Sequence, residues 1–216
     1  LEDSFNRLSD NEWMQTGLSH LNNRMIGEKN LQMLAKDALE FVAHYTGSQV
    51  GALYLLENNI LSLQSGVALT GAPQTIAPGE GLAGQAVLDR KEIWLQEIAD
   101  EQITVSHATG DLRPQHILVM PLRHEDQVKG VIELASVYPY QEKMLHFLKN
   151  VSENIGIAVN RAQNRQRIQE LLEETQTQAE ELQTQHSELE NLNTELEAHA
   201  QKLQASEEEL RMQQEE

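Results

Sequence analysis

The chain has 216 residues, sets 34 acidic side chains against 16 Lys and Arg for a net charge of -18, and contains no cysteine. Nucleic acid and anionic membrane surfaces are therefore disfavoured as partners, because both demand clustered cations. Disulfides, thiolate metal centres and cysteine nucleophiles are excluded outright.

Composition breaks near Arg161. Residues 161–216 lack Gly, Pro, Phe, Tyr, Trp and Val, and carry five Lys or Arg against fourteen Glu, which is half of the net charge. No apolar run approaches the roughly 20 residues of a membrane span, and no signal-peptide pattern opens the chain. The chain starts without Met inside helical sequence, so it is expected to be a piece of a longer protein. Three segments are expected: a helix over 1–28, a domain over 29–160 and a second helix over 161–216.

From residue 11 onward, Met14, Leu18, Leu21 and Met25 recur at spacings of four, three and four, the face of a helix seeking a partner. Leu18, Leu21 and Met25 are accordingly expected at a dimer contact. After Gly27 a second stripe (Leu31, Leu34, Ala35, Ala38, Leu39, Val42) predicts a helix that stops at Thr46 and Gly47. Residues 49–56 and 60–69, joined by Asn58 and Asn59, read as a β-hairpin. Residues 78–84 are a turn-rich entry to a short helix ending near Arg90. A short strand over 93–95 follows, then a polar, loop-like stretch over 100–116. Residues 117–122 and 128–137 form a second hairpin, and the sequence is helical from Gln141 onward. Hairpins imply an antiparallel sheet covered on one face by the terminal helices, an α+β arrangement.

The last segment carries a seven-residue repeat. Ile168, Thr175, Leu182, Leu189, Leu196, Leu203 and Leu210 occupy successive d positions, with Leu172, Ala179, His186, Asn193, Ala200 and Glu207 at a. An apolar repeat sustained over this many heptads predicts a left-handed coiled coil of about 75 Å, at about 1.5 Å per residue. Asn193 at an a position favours a parallel, two-stranded register, because two amides can pair across the axis. The other polar a positions predict a coil of moderate stability. The plainer alternative is a single solvated helix, rich in Glu and Gln.

The run Gly79-Glu-Gly-Leu-Ala-Gly-Gln-Ala-Val87, then Ile93-Trp-Leu95, Val119-Met-Pro-Leu122 and Gly130-Val-Ile-Glu-Leu-Ala135, resembles the GAF domain family over residues 30–160. The flanks, Trp13-Met-Gln-Thr-Gly-Leu18 and Glu170-Leu-Leu-Glu-Glu-Thr-Gln-Thr-Gln-Ala-Glu-Glu-Leu182, resemble helices around GAF domains in membrane-bound hybrid sensor histidine kinases. That resemblance implies a HAMP-like module upstream and a kinase core downstream. It also implies a parallel homodimer on the cytoplasmic side of a membrane-anchored receptor, without membrane contact in this segment. No phosphoacceptor stretch or ATP lid occurs within the chain, so it is not expected to be an enzyme itself.

The family also bears on ligands. The Asn-Lys-x-Phe-x-x-x-Asp-Glu pattern of cyclic-nucleotide-binding relatives is absent, and covalent bilin attachment and methionine-sulfoxide reduction in the family both use Cys, which this chain lacks. Haem held by one neutral imidazole stays open, with His107 and His116 as candidates because relatives cap the pocket with this loop. The plainer reading of both is a solvated loop histidine. His44, His124 and His146 read as helix-end, turn and helix-surface residues. Tyr54 and Trp94 are candidate aromatic walls of a ligand pocket, with core packing as the plainer reading. Glu133, in an apolar strand, is expected to face solvent. The glycines at 79–84 lack the Lys and Ser/Thr of a P-loop, so they are expected to serve the turn rather than a phosphate. No metal site or catalytic pair emerges, and the cofactor is left unknown. The leading expectation is a sensor and relay that passes a signal through a dimeric domain into the coil; the alternative is a ligand-free dimerisation spacer.

Overall fold

The computed structural model describes residues 2–69, 71–98, 105–107 and 110–214. The order is α1 (Glu2–Met25), α2 (Leu31–Thr46), β1 (Val50–Glu57), β2 (Ile60–Val67), β3 (Thr75–Ile76), α3 (Gly81–Asp89), β4 (Ile93–Leu95), β5 (Val105–His107), β6 (Gly110–Leu112), β7 (His116–His124), β8 (Gln127–Ser136) and α4 (Glu142–Gln214). Six strands form one antiparallel sheet in the order β3-β2-β1-β8-β7-β4, while β5 and β6 pair separately. Residues 1–164 pack as one compact unit and residues 165–216 form another.

Local chemistry sets the element ends. Asn30 caps α2, its side chain accepting from the Met33 N–H at 2.8 Å. The β1–β2 turn is made by Asn58 and Asn59, both left-handed at φ 50 and 61, as a two-residue hairpin requires. The β7–β8 turn holds Glu125 at φ 53.

Alternation along the strands divides the sheet into two faces. Leu53, Leu55, Leu118, Met120, Leu122, Ile132 and Leu134 turn toward α1, α2 and the first part of α4, where Leu39, Phe41, Phe147, Leu148, Val151 and Ile155 complete the main core. Tyr140 anchors the entry to α4 through a buried hydroxyl chain: its OH lies 2.9 Å from Ser48 Oγ, which lies 2.8 Å from Thr46 Oγ1. Burial pushes the Tyr140 phenol up to about 12, with the Ser48 hydrogen bond opposing. The second face carries Ala52, Tyr54, Val119, Val131 and Ala135 beneath Ala83, Ala86 and Val87 of α3. The terminal helices thus cover one face as expected, and α3 covers the other.

Two expectations are corrected here. Leu21 is fully buried within its own domain, so it has no surface left for a second chain. Leu18 and Met25 are half-buried against the same core. The reason is physical: spacings of four and three define an amphipathic face without saying what covers it, and the partners of this face are α2 and α4. Secondly, the stretch over 100–116 is not one loop, for β5 and β6 lie within it and His116 opens β7.

In the second unit, residues 165–214 are helical throughout. Ile168, Leu172, Leu182, Leu189, Leu196 and Leu203 are each more than half exposed in the single chain. Leu171 and Leu192 lie beside this stripe at g positions and widen it. The Leu210 side chain lies outside the described residues.

Candidate functional site

The α3 face is built differently from the core face. Its floor alternates small and polar side chains, Ala52 and Tyr54 on β1 and Val131, Glu133 and Ala135 on the central strand β8, with Val119 alongside on β7. Glu133 pairs with Ala52 on one side and Val119 on the other, and Tyr54 pairs with Val131. Residues directly opposite in an antiparallel pair share a face, so Tyr54 and Glu133 are diagonal neighbours within reach of each other.

Cover comes from α3 and from Leu69 and Ile98, while Ile76 on β3 and Ile93 on β4 extend the apolar face to the sheet edges. The glycine-opened turn seats that cover. Gly79 and Gly81 hold φ of 89 and 60, and a Cβ at Gly84 would lie 2.3 Å from the Ala77 carbonyl oxygen, so only glycine lets α3 approach the preceding turn this closely. The side chain of Glu80 accepts from the Ala77 N–H at 3.1 Å and closes the same turn. A cleft lined by Leu56, Pro78, Val87 and Val128 opens at the hairpin end of this face.

The electrostatics of the floor are uneven. Glu133 is half-buried, and burial raises its carboxyl above the ordinary 4.5. Among the described residues no hydrogen bond or ion pair reaches its carboxylate, whereas Glu92, at the far edge, is lowered chiefly by the hydrogen bond from Lys149 at 2.6 Å. Tyr54 is also raised, first by burial and then by the negative charge of Glu133. Its hydroxyl donates to the Pro73 carbonyl at 3.0 Å.

The residues singled out in the sequence do not converge. Tyr54 belongs to this face. Trp94 pairs with Leu118 on the edge strand β4, which turns it to the opposite side, and it is 37% exposed. His116 is neither a loop residue nor a cap: it is buried at the start of β7, opposite Ser136 and in alternation with Leu118, on the core face. Its Nδ1 has no hydrogen-bond partner among the described residues. His107 lies in β5, and its side chain is outside the described residues. Glu133, expected to face solvent, is the polar group that the sequence reading set aside. Alternation places Val131, Glu133 and Ala135 on one face of β8, and it is the arrival of α3 that covers that face. Among the described residues, no three His, Asp or Glu side chains gather as a metal set.

An antiparallel sheet that keeps one face for the terminal helices and carries a short glycine-opened helix over the other defines the class as an α+β domain. A model of the GAF domain matches residues 28–160, more than half of the chain, and the chain belongs to the GAF domain family, whose members are signalling and sensor domains. The GAF domain of a phosphoenolpyruvate-protein phosphotransferase from Coxiella burnetii superposes with a TM-score of 0.59 at 15% identity, covering 70% of this chain and 95% of that one. The corresponding Acinetobacter domain gives 0.56 at 17% identity, over 71% and 93%. Free methionine-R-sulfoxide reductase from Neisseria meningitidis, solved in complex with its substrate, gives 0.55 at 15%, over 72% and 91%. At these identities the likeness concerns the fold. No curated protein sequence matches the chain.

Proposed function

We propose that the chain is the sensor and relay segment of a two-component sensor histidine kinase, in which a small molecule bound on the α3 face biases a parallel, dimeric coiled coil. The observation that carries this reading is the composition of α4. Its first part supplies Phe147, Leu148, Val151, Ile155 and Val159 to the domain core, and its last part carries the exposed stripe from Ile168 to Leu203. A stripe of six large apolar side chains, left in water, is a strong incentive to pair, and a strict seven-residue repeat is the pattern that a second copy in register covers.

In this reading the chain is itself no enzyme. Its inputs are the ligand and a HAMP-like module upstream, its output is a kinase core downstream, and it works on the cytoplasmic side of the membrane. The kinase end rests on the resemblance of the flanking helices to those of hybrid kinases. Among the described residues no helix is long and apolar enough to cross a membrane. A ligand-free spacer would share the coil, yet it would have no use for a half-buried carboxylate on the apolar α3 face that meets no cation among the described residues.

The absence of cysteine makes the test direct. Leu189→Cys introduces one thiol at a central d position, where parallel, in-register strands bring the two copies side by side. Mild oxidation is expected to convert most of the chain to a disulfide-linked dimer, with Glu188→Cys, on the outer face, linking poorly. A monomeric mass by light scattering, or equal linking at both positions, removes the dimeric relay.

A further inference from the structure

We propose that the ligand of the α3 face is a small molecule bearing a protonated nitrogen, an ammonium, amidinium or guanidinium group, with the Glu133 carboxylate as its counter-ion. This rests on the reading of that face as the sensing site, and it commits the site to one ligand chemistry.

Three observations converge on it. Glu133 stands in mid-sheet, opposite Ala52 and Val119, on a face otherwise apolar around it. Its neighbours on that face, Ala52 across the strand pair and Ala135 two residues along, are both small. No cation answers it from within the described residues: burial alone accounts for the upward displacement of its carboxyl, with no Lys or Arg acting against it. A carboxylate kept in such a place is costly until it meets a positive partner.

Tyr54 narrows the chemistry further. Its hydroxyl proton is already committed to the Pro73 carbonyl, so what it offers to a ligand is an oxygen lone pair. The two polar groups of the floor, a carboxylate and a phenol oxygen, are then both acceptors. A ligand that satisfies both must bring N–H donors, and one with positive charge gains a charge-assisted hydrogen bond in a low-dielectric setting. An anion would face Glu133 with like charge, which discriminates against carboxylate and phosphate ligands.

The experiment is calorimetric and thermal-shift titration of the whole chain with agmatine, arginine and putrescine, set beside succinate and uncharged diols of similar length. The expected result is binding and a raised melting temperature with at least one cationic probe. Glu133→Gln should then weaken that probe about tenfold or more, the scale of a lost charged hydrogen bond, while retaining its own cooperative melting transition. Tyr54→Phe should weaken it by less. Equal binding of the cationic probe to Glu133→Gln overturns the proposal. So does binding of the anionic or uncharged probes alone, which would leave the face a sensing site of different chemistry. If no probe of any kind binds at millimolar concentration, the cationic ligand and the sensing role fall together. Dimerisation is decided separately by the Leu189→Cys cross-link.

Discussion

A carboxyl group that titrates above its ordinary value in the folded state takes stability away as pH rises. The folded chain holds the Glu133 proton more tightly than the unfolded chain does, so the linkage slope is negative from about the ordinary value of 4.5 up through the raised folded value. Glu133→Gln removes that penalty. Its melting temperature is expected to exceed the parent's at neutral pH, the gap closing as pH falls through this window and vanishing below it. Thermal melts of both chains from acid to neutral pH check this, and a constant offset would mean that Glu133 is not desolvated in the folded state. The same residue shows where sequence reading fell short. Its alternation with Val131 and Ala135 fixed which face it takes, but burial of that face depends on α3 arriving over it, and a contact between distant segments leaves no local trace. Trp94 and His116 stand on the other face for the complementary reason. Their side chains suit a pocket, and strand register alone turned them away from it.

At the scale of elements, the helices, both hairpins and the glycine-opened turn were legible because each rests on neighbouring residues: periodicity, the Asn58–Asn59 turn, the Thr46–Gly47 stop. What α1 packs against was not. Trp13 stacks on Tyr45 at a centroid distance of 4.7 Å, the Tyr45 hydroxyl donates to the Trp13 carbonyl at 2.7 Å, and Phe147 meets the edge of Trp13 at 5.2 Å. Gly17 is the point of closest approach, since a Cβ there would lie 2.4 Å from Tyr45 Cε1 and 2.7 Å from Phe147 Cε2. Gly17→Ala is therefore expected to force the rings apart and destabilise the domain by about 1–3 kcal/mol, despite the better helix propensity of alanine. Leu21→Ala should cost about 3 kcal/mol through the cavity it leaves. Urea denaturation followed by Trp fluorescence measures both. A neutral Leu21→Ala would return α1 to the role first expected of it, a helix whose apolar face serves another chain.

For the molecule as a whole, a relay demands an output helix that is held well enough to pair and loosely enough to change. The a positions of the second unit meet that demand under the proposed dimer: Ala179 and Ala200 bury little, while His186, Asn193 and Glu207 would each face their own copy across the axis. In that dimer the leucines at d would supply the attraction, and the a layers would limit it. Replacing His186 and Asn193 together by Ile, the side chain that favours two strands at a, adds apolar burial on the order of 1.5 kcal/mol or more per substituted side chain. Dissociation of the double variant should move to lower protein concentration, and its concentration-dependent melting should move to higher temperature. If the two polar layers also provide the freedom through which the domain is heard downstream, the full-length protein of the proposed relay, carrying this pair, will hold one output level whether or not ligand is present. A stabilised coil with fully retained regulation would show that the signal passes through some motion other than a rearrangement of these layers, and an unchanged melting temperature would place the seam on a different face of α4.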